Sequence, residues 1–255
     1  MSGFSVWMRK EALEIACTWR RYVLPLLVLI MAVLSPVLAR ITPELLRSFA
    51  SSEPGVVIQL PDPTATDAIR QWAQSLSQIV IFAVVILSAG LVPNDLKEGT
   101  AQLALVKPLS RRAFVLAKVV VQTGFLAAVT GTGALLCAVV TRMLFDSLPI
   151  AELVRVTLAW LGFASVMICL VTLCSIVMKS QAAAAGAGIG LYFLFSLGGL
   201  WEPLTRNSPI GLLAGLPELA AGESFPLTLP LATGALTCAV ALMVAIWRFQ
   251  RQTLR

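Results

Sequence analysis

Five cations, Lys97, Lys107, Arg111, Arg112 and Lys118, stand between Pro93 and Lys118 against only two acids, Asp95 and Glu98. The segment reads PNDLKEGTAQLALVKPLSRRAFVLAK and separates two long apolar runs. Lys and Arg in a short connection of this kind are retained on the cytoplasmic side of a membrane. A minimal crossing loop needs no acid-Gly-Thr step, no proline and no paired arginine, so the segment reads as a contact surface. Its chemistry is charge pairing and docking. Bond-making chemistry has little to work with, because the 255 residues include no histidine. The usual base of nucleophilic triads and the commonest metal ligand are therefore missing. No G-x-x-x-x-G-K-[ST] phosphate loop is present, so no ATP site is expected in this chain. Gly186-Ala187-Gly188-Ile189-Gly190 imitates a dinucleotide loop, but Leu191 stands where the third glycine of G-x-G-x-x-G belongs. The step Gly186 to Gly190 is instead read as helix packing, G-x-x-x-G, with Ala182 to Ala185 extending the small face. We assign no catalytic, cofactor-binding or metal-ligating residue.

The docking segment can be built residue by residue. Asn94 or Asp95 caps a turn, and Gly99 breaks the helix arriving from the preceding apolar run. Thr100 caps a short second helix, Ala101 to Val106, with Leu103 on one face. Pro108 ends that helix, since proline disfavours helical geometry at the residue before it, here Lys107. Ser110 caps the next long helix and leaves Arg111 and Arg112 at the membrane surface. The outcome is a short helix held below a bilayer by two membrane helices.

Composition sets the elements that must position it. At 58% apolar and 13% charged residues, the chain is far from the soluble average. Runs long enough to cross ~30 Å of hydrocarbon occur near Tyr22–Ala39, Leu76–Val92, Phe114–Val140, Val156–Val177, Ala182–Leu200 and Leu227–Trp247. Lys118 is the one charge inside any of them. The predicted fold is an all-α polytopic membrane protein of six transmembrane helices. It has an N-terminal amphipathic interface helix and a cytoplasmic coupling helix between the second and third spans. Residues 1–255 form one domain, with an interface helix over 1–21, a membrane region over 22–247 and a tail over 248–255.

Charge orients this domain. With both termini in the cytoplasm, the inner parts hold 13 of the 19 Lys and Arg and only four acids, a net +9, while the outer parts sum to −3. The overall +6 is thus a topology signal and no nucleic-acid partner is expected. Val37-Leu38-Ala39 could pass as a cleavage site, but the preceding residues are too long and structured for a signal n-region, so the first span is expected to be retained.

The N-terminal residues form an amphipathic helix suited to the headgroup region. Phe4, Met8, Ala12, Ile15, Ala16 and Trp19 share an apolar face. Arg9, Lys10, Glu11, Glu14, Arg20 and Arg21 lie around the rest, while Val6 and Leu13 fall on the polar side. Membrane anchoring and contact with a partner are both open for it, the contact residues being Trp7, Arg9, Lys10, Glu11 and Glu14. On the outer side, Thr66 or Asp67 is expected to cap a short helix running through Trp72 into the second span. The apolar piece Ile210–Leu216 in the last outer loop is too short to cross and is expected to be re-entrant or interfacial. Glu202, Glu218 and Glu223 should face water. The cysteines form no C-x-x-C pair, and those in the spans read as packing.

Glu98-Gly99-Thr100, Leu105, Lys107-Pro108-Leu109-Ser110-Arg111-Arg112, Phe114 and Lys118 together resemble the signature of type-2 ABC exporter permeases. Lys10-Glu11-Ala12-Leu13 ahead of a first span resembles the opening of that family, and Pro63-Thr64-Ala65 with Asp67 resembles the first outer loop of some bacterial members. The resemblance implies the membrane half of a bacterial exporter in the cell membrane. Two permease subunits, identical or related, would pair. Each would dock a separate cytoplasmic ATPase subunit, which holds the ATP and Mg, through the N-terminal helix and through Asp95, Glu98, Gly99, Thr100, Leu103, Lys107, Pro108, Ser110, Arg111 and Arg112. Spans without internal charges favour an apolar or amphipathic cargo. A non-transporting scaffold or sensor of permease-like architecture is the alternative.

Overall fold

The computed structural model describes residues 3–50, 62–93, 111–178 and 180–251. Every regular element among them is helical. The expected short helix over Ala101–Val106, with Asp95, Glu98, Gly99, Thr100, Leu103, Lys107, Pro108 and Ser110, lies outside the described residues, as does the Arg111 side chain.

Helix α1 covers Gly3–Cys17 and α2 covers Arg20–Ala50. The second span begins as α3, Ala65–Ser75, passes through one π-helical turn, Leu76–Val80, and continues as α4, Ile81–Ala89. Then come α5 (Arg111–Leu144), α6 (Ile150–Val177) and α7 (Gln181–Gly198). Three short helices follow, α8 (Glu202–Asn207), α9 (Gly211–Ala214) and α10 (Leu216–Ala220), before α11, Thr228–Arg251. Among the described residues, six helical stretches are long and apolar enough to cross a membrane: Arg20–Leu45, Ala65–Ala89, Arg112–Leu144, Ile150–Val177, Gln181–Gly198 and Thr228–Arg251. The chain is a multi-pass membrane protein.

Burial sorts the spans. In the second span and α6, 61% of the apolar window is buried, against 17% in α7. These two form the centre, and α2, α5, α7 and α11 wrap them. The outer helices turn Leu26, Leu135, Met143, Leu194, Leu197, Leu236 and Met243 away from the protein. An apolar surface of that extent is stable only against hydrocarbon. At 31 and 34 residues, α2 and α5 extend to roughly 47 and 51 Å at 1.5 Å per residue, more than a bilayer core requires. They pack along each other.

Several polar groups in the centre bond across helices or back to their own backbone. Trp72 Nε1 donates to Thr157 Oγ1 at 3.3 Å, and that hydroxyl donates to Leu153 O at 2.7 Å. Ser35 and Ser75 meet at 3.0 Å between α2 and α3. Trp72 needs room, and Gly133 provides it: a Cβ there would lie 2.5 Å from Val28 Cγ1 and 3.0 Å from Trp72 Cη2.

One expectation about the outer loops changes, and another gains detail. The helix leading into the second span is capped by Thr64, one turn earlier than Asp67. The Thr64 N–H and Oγ1 both donate to Asp67 Oδ2, at 2.9 and 2.8 Å, so Asp67 is the reciprocal member of a capping box. The apolar piece from Ile210 to Leu216 is divided between α9 and α10 by Gly215. There Leu212, Leu216 and Leu219 are buried over the ends of α6 and α3. Glu202, Glu218 and Glu223 are exposed.

Candidate functional site

Phe114 and Lys118 lie four residues apart in the first turns of α5, and so on one face. Trp7, Glu11 and Ile15 occupy one stripe of α1 at the same spacing, and all three are buried. The two stripes meet. Glu11 Oε2 stands 2.9 Å from Lys118 Nζ, with the side chains 5% and 0% exposed. Trp7 packs edge-on to Phe114 at 5.0 Å, and Phe114 stacks on Phe249 of α11 at 5.4 Å. Leu91 and Val92, Val115 and Ala117, Ile176 and Ala245 complete this cluster. Helix α1, the second span, α5, α6 and α11 are thus drawn together at the end of the bundle that carries α1 and the close of α11.

The charges form a chain. Lys10 Nζ reaches Glu11 Oε1 at 3.2 Å and Glu14 Oε2 at 2.6 Å. Lys118, Glu11, Lys10 and Glu14 therefore alternate in sign from the dry interior to the surface. Stripping water from an ammonium and a carboxylate costs several kcal/mol each, on the order given by continuum arguments, and only close pairing offsets it. Lys118 Nζ also lies 5.1 Å from the Phe114 ring centroid, within cation–π range. Nearby, Arg20 Nη2 donates to Leu87 O and ties the start of α2 to the end of α4. No proton-transfer or nucleophilic arrangement arises from these groups. Their effect is mechanical: α1 and the foot of α5 are joined through the protein interior.

Trp7 and Glu11 are at the junction, Lys10 and Glu14 are half-buried beside it, and Arg9 is exposed. Phe4, Ala12, Ala16 and Trp19 are exposed, with Val6 and Leu13, whereas Ile15 turns into the protein. The stripe bonded to α5 is a separate one, and it includes a carboxylate. Arg112 is exposed at the start of α5. Gly186 and Gly190 face open space, for a Cβ at either would meet no atom of another helix of the described chain within 4 Å. The glycine that packs inside is Gly188, where a Cβ would lie 2.7 Å from Val85 Cγ1 and 2.8 Å from Val171 Cγ2. The junction between Glu11 and Lys118, and the place of Phe249, went unassigned from sequence. A signal existed, because a lone lysine inside a predicted span calls for an acid partner.

The chain belongs to the family described as "Protein of unknown function (DUF2705)", whose model matches residues 29–254. It is also 23% identical over 260 residues to the "Uncharacterized transmembrane protein YxlG" of Bacillus subtilis (strain 168), with 96% of each chain covered.

Proposed function

We propose that this DUF2705-family protein is the membrane-spanning subunit of an ATP-driven exporter, operated by a separate cytoplasmic ATPase. The observation that carries the reading is the buried pair between Glu11 and Lys118. Residues 94–110 run directly into α5, so a push on that connection reaches the foot of α5. The pair passes it to α1, and stacking of Phe114 on Phe249 passes it to α11. A plain crossing loop needs no such joint. In this reading α1 and residues 93–118 are cytoplasmic, and the net +9 of the inner parts supports that side.

The translocation path forms between two copies or two related subunits in the bacterial cell membrane. Support comes from the outward-facing Gly186 and Gly190, since small residues on a membrane helix allow close approach by another. Cargo is apolar or amphipathic, because the middle stretches of the spans carry no charge. ATP and Mg belong to the partner, and this subunit binds lipid and no nucleic acid.

Affinity purification in a mild detergent tests the reading. The tagged chain should bring down a phosphate-loop ATPase and ATP hydrolysis. Replacing Glu98 or Gly99 should uncouple hydrolysis from transport or release the ATPase, while membrane insertion is kept. A chain that purifies without any ATPase, even after crosslinking at Lys97 or Lys107, overturns it in favour of a scaffold.

A further inference from the structure

At the opposite end of the bundle from the α1 junction, α3, the π turn, the end of α7 and the lid helices α9 and α10 line a half-open cavity of about 380 Å³. That is within the range of small-ligand sites, about 300–1,000 Å³. Its walls are of two kinds. Arg70, Gln74, Ser77 and Gln78 line one side, at successive helical turns of the second span. Tyr192, Phe195 and Leu216 line the other.

The polar side is shaped by the π turn. Its i→i+5 bonding leaves carbonyls out of regular α register, and Ser77 O is taken by Tyr192 Oη at 2.6 Å. That bond fixes the Tyr192 ring as part of the wall. Ser77 Oγ is a buried hydroxyl with no hydrogen-bond partner among the described residues. Arg70 supplies the cation. Its contact with Asp67 is long, 3.8 Å, and both side chains are nearly half exposed, so the pair is weak. Asp67 is already committed to the Thr64 cap and does not line the cavity.

We propose that this cavity binds an amphiphile with a compact anionic head, phosphate or carboxylate, and an acyl or aryl body. The guanidinium of Arg70 holds the head, with the amides of Gln74 and Gln78 as further donors. The body lies on Tyr192, Phe195 and Leu216. This assignment is independent of ATP-driven export, because it concerns equilibrium binding at the lid end of the isolated subunit.

Photolabelling locates the ligand. The full chain in phosphatidylcholine nanodiscs is irradiated with decyl phosphate carrying a terminal diazirine, and the labelled peptides are mapped. Label should fall on the peptides containing residues 70–78 and 192–216. Unlabelled decyl phosphate should compete and decanol should not. Arg70→Gln should weaken binding about tenfold, the worth of one charge-assisted hydrogen bond, while Arg70→Lys retains most of it. Arg70 is at the surface, so neither variant endangers folding. If phosphatidylglycerol in the nanodisc suppresses the label, the resident ligand is a membrane lipid. If it does not, the ligand is a free amphiphile, and both results uphold the anionic head. Label spread over the lipid-facing helices, or equal competition by decanol, overturns the proposal. So does an Arg70→Gln chain that labels as well as the wild type.

Discussion

Lys118 holds its ammonium where water does not reach, and Glu11 makes that position tolerable. Removing Lys118 takes from Glu11 its buried partner and leaves it Lys10 at 3.2 Å, so the loss falls below the roughly 3–5 kcal/mol of a fully stranded buried charge. Lys118→Met should still lower the thermal unfolding temperature, as read by fluorescence-detected size exclusion. The double variant Glu11→Leu/Lys118→Met should regain most of the loss, because no charge is then left unpaired. A double variant as unstable as the sum of its parts would contradict the pairing. A milder effect is expected at Tyr192. Its hydroxyl donates to Ser77 O, so Tyr192→Phe should cost about 1 kcal/mol in the same assay.

At the level of the helix, glycine spacing separates two kinds of contact. Gly188 faces Val85 and Val171 closely enough that a larger residue must displace them, whereas Gly186 and Gly190 face open space. Gly188→Leu should destabilise the isolated subunit by about 1–3 kcal/mol. Gly186→Leu and Gly190→Leu should leave its unfolding temperature unchanged and alter only association between subunits, measured by mass photometry in detergent. The sequence carried the G-x-x-x-G pattern plainly but could not say which face turned inward, since Ala and Gly occupy both sides of α7. The spans were legible because uninterrupted apolar length has one solution in a bilayer. The start of the second span was less so: Thr64, Thr66 and Asp67 can all cap, and only the bonds from Thr64 to Asp67 decide. On α1 the apolar stripe stood out in projection. The face that actually packs carries Glu11, and a carboxylate reads as solvent-facing until Lys118 is set beside it. The π turn at Leu76–Val80 has no composition signal in LSQIV at all.

Across the whole molecule, the account requires one orientation. Export as proposed puts the lid helices and Glu223 outside and α1 and residues 93–118 inside. A single cysteine at Glu223 in a cysteine-free chain should react with an impermeant maleimide on intact cells. One at Arg9 should react only after permeabilisation. Both positions are exposed, so access rather than burial governs the result, and the reverse pattern would put the docking segment on the wrong side of the membrane.

Export by the proposed route needs residues 94–110 to receive an ATPase. A photocrosslinking amino acid placed at Leu103 reports on that contact, with the same group at Glu223 as the control. A crosslink from position 103 to a phosphate-loop ATPase is expected, strengthened or weakened by nucleotide, and none from position 223. Absence of an ATPase adduct at position 103, with the protein inserted and the crosslinker active, would contradict it.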